Sequence, residues 1–297
     1  MSRYKNLYPI LTKVICFSSD LLKPNRIKVA REITQIQFPR NLIFISTGLA
    51  FLWPIKKSKE PIDQEKLKKL SVIDDSDELF ENGHYEECYN LLKNYEENQD
   101  IEIQWRICRA LYNMAKESKY NNAQKKDFIF QAYEIICKHL NNNENNFAVH
   151  KWYALILDAK SHHNGIKERI QQLENVKKHM DLAVTLNPND ATTLHMLGEW
   201  CYQITEMPWH QRKIAEVLFA SPPHSTYEDA LEYFLRAETI QPRFYSVNLL
   251  RLGICYHKLG KEDQAKYYLK LAASYPAKSN DDHLANKEAA ELLKKLK

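Results

Sequence analysis

A chain of 297 residues is long enough to bury a core that needs neither disulfide nor metal to hold it. Hydrophobic residues make up 44% and charged residues 27%, the balance of a water-soluble globular protein. Only six residues are glycine, and there is neither a G-x-G-x-x-G nor a G-x-x-x-x-G-K-S/T run, so dinucleotide folds and phosphate-loop NTPases are poor readings. The net charge of +4 is uneven: residues 1–40 hold eight Lys or Arg against Asp20 and Glu32, a balance of +6 that leaves −2 for residues 41–297. Bulk charge therefore gives the globular part no reason to bind nucleic acid. The six cysteines are scattered without a C-x-x-C, and no N-x-S/T acceptor occurs, which fits a reducing, intracellular setting.

Residues 1–60 form a leader. Its basic residues, Arg3, Lys5, Lys13, Lys23, Arg26, Lys28, Arg31 and Arg40, alternate with Leu, Ile and Val in the manner of a mitochondrial transit segment. The uncharged run Asn41 to Ile55 that follows would span about 22 Å as a helix, short of the ~30 Å hydrocarbon core. It is a candidate for targeting or anchoring, or an apolar extension packed at the periphery. Residues 56–69 are dense in charge and contain Pro61, reading as a solvated linker into the first helix of a domain over 61–297.

From about residue 70 the apolar spacing is helical. Asp190 is placed to cap a helix starting at Ala191, Gly83 and Gly260 fall between helical patterns, and Pro188, Pro242 and Pro276 follow helix ends. A fixed period is also present. Ala230, Phe234 and Ala237 recur 35 residues on as Ala265, Leu269 and Ala272, and Pro242 and Pro276 are 34 apart. Leu252-Gly253-Ile254-Cys255-Tyr256 has the L-G-x-x-Y form of a tetratricopeptide first helix. Leu197-Gly198, Trp105, Trp152 and Gly83-His84-Tyr85 mark more divergent units. Small residues at Gly198, Gly253, Ala230 and Ala265 let paired helices approach, and the aromatics fill the space between repeats as core. The expected fold is an all-α, tetratricopeptide-like solenoid of antiparallel helix pairs.

The period breaks once. Ala183 to Ala230 is 47 residues, so about a dozen residues interrupt the array between Ile204 and Tyr227. Pro208 suits the first turn of a short helix, and Pro222-Pro223 ends the segment. Trp209, Ile214, Val217 and Leu218 would share its apolar side, with Trp209 holding it in place and Arg212, Lys213 and Glu216 elsewhere. An insertion adds nothing to repeat packing, which makes this piece either a dedicated binding element or a cover for one open face of the solenoid. Trp209, His210, Arg212 and Lys213 are the candidate partner-binding residues.

Several stretches then carry a family resemblance. They are His150-Lys151-Trp152-Tyr153-Ala154, Leu186-Asn187-Pro188-Asn189-Asp190-Ala191-Thr192, Trp200-Cys201-Tyr202 with Glu206-Met207-Pro208-Trp209, Ser225-Thr226-Tyr227-Glu228 and Phe244-Tyr245-Ser246. Over roughly residues 70–295 the chain resembles the regulator of microtubule dynamics family. That resemblance implies a non-enzymatic helical-repeat protein of the cytoplasm that associates with microtubules and spindle poles and supports chromosome segregation. Members also occur at mitochondria, and some carry a membrane anchor and act in organelle contact or lipid handling. The resemblance brings no catalytic residues with it.

The residues agree with that silence. H-E-x-x-H and G-x-S-x-G are absent, and His162-His163 have no carboxylate or cysteine partner at metal-ligand spacing. Asp74-Asp75, Glu86-Glu87 and Asp281-Asp282 read as solvated charge, and Asn141 to Asn146 as a polar loop between helices. No metal, cofactor or nucleic acid is expected. Two function classes remain: a scaffold whose partner is the microtubule, with Arg212 and Lys213 meeting the acidic tubulin surface, and a carrier of lipid tethered to a mitochondrial membrane.

Overall fold

The computed structural model of the chain describes residues 64–296 apart from 96 and 98. The targeting and anchoring expectations for residues 1–60 lie outside the described residues. Among the described residues there are thirteen helices and no strand: α1 (Gln64–Glu81), α2 (Tyr85–Lys93), α3 (Ile101–Met114), α4 (Asn122–Leu140), α5 (Phe147–Asn164), α6 (Ile166–Gln171), α7 (Leu173–Leu186), α8 (Ala191–Thr205), α9 (Trp209–Leu218), α10 (Tyr227–Ile240), α11 (Ser246–Lys258), α12 (Glu262–Ala273) and α13 (Asn280–Lys295). None of these helices is long and apolar enough to cross a membrane.

The helices pair as the period requires. α1 packs on α2, α3 on α4, α5 on α7, α8 on α10 and α11 on α12, while α13 lies against both α11 and α12. Helix ends are set by local chemistry. Asp190 accepts the Thr193 amide at 3.2 Å, and Asn146, at the end of the asparagine run, accepts from Ala148 and Val149 at 2.9 and 3.3 Å. Gly260 turns the chain between α11 and α12 at φ +71°, a conformation that costs other residues energy.

Close approach explains the glycines inside helices. A Cβ on Gly253 would lie 2.6 Å from Leu269 Cγ, and one on Gly198 would lie 2.6 Å from the Phe234 ring. Each crossing joins the two helices of one pair, so Leu197-Gly198 and Leu252-Gly253 mark equivalent positions in successive repeats.

The first helix of each later pair is buried on every side. Residues 103–114, 148–159, 191–201 and 246–255 are continuously buried. Charges within them are therefore paired: Arg106 and Arg109 with Asp77, Lys151 with Asp190, Arg169 with Asp158, and Arg251 with Glu199. Trp105, Trp152 and Trp200 are core, as the repeat spacing predicts.

The array curls so that its last helix approaches the turn after α3. Lys116, in the turn after α3, lies 3.5 Å from Asp281 at the start of α13. Neighbouring Asp282 corrects the expectation of solvated charge at Asp281-Asp282. It is fully buried, accepts the Ser246 hydroxyl at 2.5 Å, and forms a capping box with Ser279 that starts α13. Asp74-Asp75 and Glu86-Glu87 are exposed, as expected.

Candidate protein-binding site

The interruption in the period is α9, placed between the two helices of the α8–α10 pair. It packs against α6, itself a short helix wedged between α5 and α7. Its entry is fastened at Glu206, the residue that ends α8. Lys258 Nζ donates to Glu206 Oε1 at 2.7 Å, and the Tyr227 hydroxyl donates to the same oxygen. Burial pushes this carboxyl up, but the hydrogen bonds from Lys258 and Tyr227 prevail and hold it below the usual carboxylate range. One carboxylate thus ties the root of α9 to α10 and α11. Its exit is followed by Thr226, whose hydroxyl caps α10 by accepting the Asp229 amide at 3.1 Å.

The orientation of α9 differs from the expectation. Gln211 and Ala215 face inward and are buried, with Ile214 and Leu218 half-buried beside them. Trp209 and Val217 point the other way, 78% and 86% exposed. Trp209 therefore does not hold the helix, and the four apolar residues do not share one side. The reason is angular: at 100° per residue, positions 211, 214, 215 and 218 cluster within about 100°, and position 209 lies opposite them.

Of the candidate residues, all four lie on the exposed half. Trp209 and His210 have ring centroids 5.9 Å apart. Lys213 is ion-paired with Glu216 at 2.8 Å, and Arg212 Nη2 donates to the Met207 carbonyl at 3.5 Å. Arg212 and Lys213 against Glu216 leave this half one positive charge, counting His210 as neutral.

Beside α9 opens a cavity of about 740 Å³, bounded by α6, α7, α8, α9, α11 and α13. Its apolar lining includes Ile166, Ile170, Leu173, Ile204 and Met207. Its polar lining includes a buried ion pair, Arg251 Nε to Glu199 Oε2 at 2.6 Å and Nη2 to Oε1 at 2.9 Å. Burial opposes the charge on Glu199, but the attached guanidinium keeps its carboxyl below the ordinary range. Leu284, Lys287, Glu288 and Glu291 of α13 supply the rim. None of these cavity residues stood out in the sequence as a site. A charge between packing residues, as in Gly198-Glu199-Trp200 and Leu250-Arg251-Leu252, is the signal that could have found the pair.

Among the described residues no group of three or more His, Cys, Asp or Glu could hold a metal. His162 and His163 are exposed at the end of α5. Burial pushes the Cys88 thiol up to about 11 and that of Cys255 to about 12, so both stay protonated near neutral pH.

The family described as regulator of microtubule dynamics protein 1-3 matches residues 72–297. Regulator of microtubule dynamics protein 1 from Pongo abelii is 45% identical over 226 residues, covering 76% of this chain and 72% of that protein. Regulator of microtubule dynamics protein 3 from Rattus norvegicus is 32% identical over 246 residues, covering 80% of this chain and 52% of that protein. Among solved structures, a thermophilic TPR protein of Thermus thermophilus superposes with a TM-score of 0.54 at 14% identity, covering 75% of this chain and 99% of that one. That likeness shows the tetratricopeptide-type fold.

Proposed function

The chain belongs to the regulator of microtubule dynamics protein 1-3 family, and on that premise we propose that it acts in microtubule dynamics as a non-enzymatic helical-repeat protein that binds microtubules. This reading places it in the cytoplasm, on the cytoskeleton and at spindle poles, where it supports chromosome segregation. The observation that carries the contact is α9: it is inserted between the two helices of a pair, and it turns Trp209, His210, Arg212 and Lys213 outward. Basic side chains on that face complement the acidic tubulin surface. Co-sedimentation of the full chain with stabilised microtubules tests the reading. The chain should pellet with microtubules at low salt, and the double change Arg212→Glu with Lys213→Glu should weaken pelleting several-fold. A chain that stays in the supernatant would contradict it.

A second reading rests on the cavity. Its mixed apolar and polar lining suits an amphipathic molecule, and a lipid held there would make the chain a lipid-binding or tethering module at mitochondrial membranes. Native mass spectrometry of protein from a eukaryotic host separates the two: a co-purified lipid would favour this reading.

A further inference from the structure

We infer that Trp209 and Val217, the two apolar side chains standing outward on α9, are the anchors of the microtubule contact, and that Arg212 and Lys213 orient the approach while supplying little of the hold. This rests on the microtubule reading above and assigns the chemistry of the partner surface: acidic, with an apolar depression that takes an indole.

The inward half of α9 is already satisfied. Gln211 and Ala215 are 7% and 1% exposed, so no rearrangement within the fold is needed to complete the packing of this helix. Trp209, Lys213 and Val217 follow one another at intervals of four, a stripe about 12 Å long along one side of the helix. Among the described residues, the other large exposed apolar side chains, Ile166, Leu186, Tyr267 and Leu284, are 37–55% exposed and are spread over four different helices. Isolated, part-covered residues of that kind are ordinary surface. An exposed Trp and Val on one ten-residue helix, whose root Glu206 ties to α10 and α11, form a contiguous outward face.

Charge decides what meets it. The face carries one net positive charge, because Glu216 takes up Lys213. An acidic partner is thus preferred over a basic one, yet a single net charge cannot supply a strong hold at physiological ionic strength. Tryptophan at the centre of an interface typically dominates its energy, with rim charges setting approach and register. The contact should therefore weaken only shallowly with salt and sharply with loss of the indole.

The test compares the full chain with Trp209→Ala, Val217→Asp and the double Arg212→Glu, Lys213→Glu variant in three assays: microtubule co-sedimentation, flotation with vesicles containing phosphatidylserine, and sedimentation velocity of the protein alone. Both anchor residues are solvent-exposed, so helicity and thermal stability should match the unaltered chain. Supporting results are a loss of microtubule affinity of at least about tenfold in Trp209→Ala and a comparable loss in Val217→Asp, against a few-fold loss in the charge variant. If Trp209→Ala and Val217→Asp pellet like the unaltered chain, the anchor assignment is overturned while the microtubule reading stands. If the unaltered chain does not pellet, the reading itself fails and the assignment with it. Trp209-dependent vesicle flotation or self-association without microtubule binding would assign this face to a membrane or to a second copy and overturn the inference.

Discussion

Arg251 holds Glu199 across 52 residues of chain, through two hydrogen bonds of 2.6 and 2.9 Å, with Glu199 1% and Arg251 8% exposed. The pair joins α8 to α11 across the repeat interface and lines the cavity. Removing one partner strands a buried charge. Glu199→Ala should lower the unfolding free energy by about 3–5 kcal/mol, whereas Glu199→Leu with Arg251→Met should retain most of the stability. Urea unfolding of the three proteins checks this, and equal losses in the single and double variants would show that the pair is not electrostatically closed.

The two kinds of glycine should fail in different ways. Gly253→Leu pushes a side chain into Leu269 and should cost about 1–3 kcal/mol by overpacking. Gly260→Ala meets open space but places a Cβ at φ +71°, for a cost of about 1 kcal/mol. Thermal unfolding that leaves Gly253→Leu unchanged would mean the α11–α12 crossing is looser than described.

Acid should loosen the core through histidines. His179 shares a hydrogen bond of 2.8 Å with His150, and burial, with His150 and Lys178 nearby, lowers its pKa to about 4. Burial also lowers His195 to about 4, with its Nδ1 2.8 Å from Asn248 Oδ1. The unfolded chain binds these protons near pH 6.5, so their stabilising contribution is complete above that value and is lost as pH falls towards 4. Each group adds up to about 1.4 kcal/mol per pH unit to the slope in that window. Unfolding measured from pH 7 to 4.5 should show a shallower decline for His179→Gln, and parallel curves would contradict the assignment.

The cap that restarts the array after α9 is a local test. Thr226→Ala removes the acceptor for the Asp229 amide and should cost about 1 kcal/mol. Hydrogen exchange should rise at the start of α10 and leave α12 unaffected, and a uniform rise would assign Thr226 a global role.

Periodicity and turn chemistry announced the repeat pairs because each residue reports its own neighbourhood: Gly253 needs a close crossing, Asp190 needs an amide to cap, and Ala265 needs a small gap. The insertion was visible for the same reason, as an excess over the period. Its orientation was not. Trp209, Ile214, Val217 and Leu218 spread over about 180° of a ten-residue helix, so hydrophobicity alone selects no inward face, and the small Ala215 with the polar Gln211 settles it instead. The cavity was hidden for a different reason, since Glu199 and Arg251 are brought together only by the winding of the repeats. The burial of Asp282 likewise depends on Ser246, 36 residues away.

In the proposed function this chain meets microtubules through the outward face of α9. Hydrogen exchange of the full chain with and without stabilised microtubules, read by mass spectrometry at peptide resolution, tests that contact most directly. Protection should concentrate in peptides covering residues 207–218, with α4 and α12 unchanged. Binding that protects the repeat helices or the cavity rim on α13 and leaves residues 207–218 exchanging as in the unbound chain would contradict it.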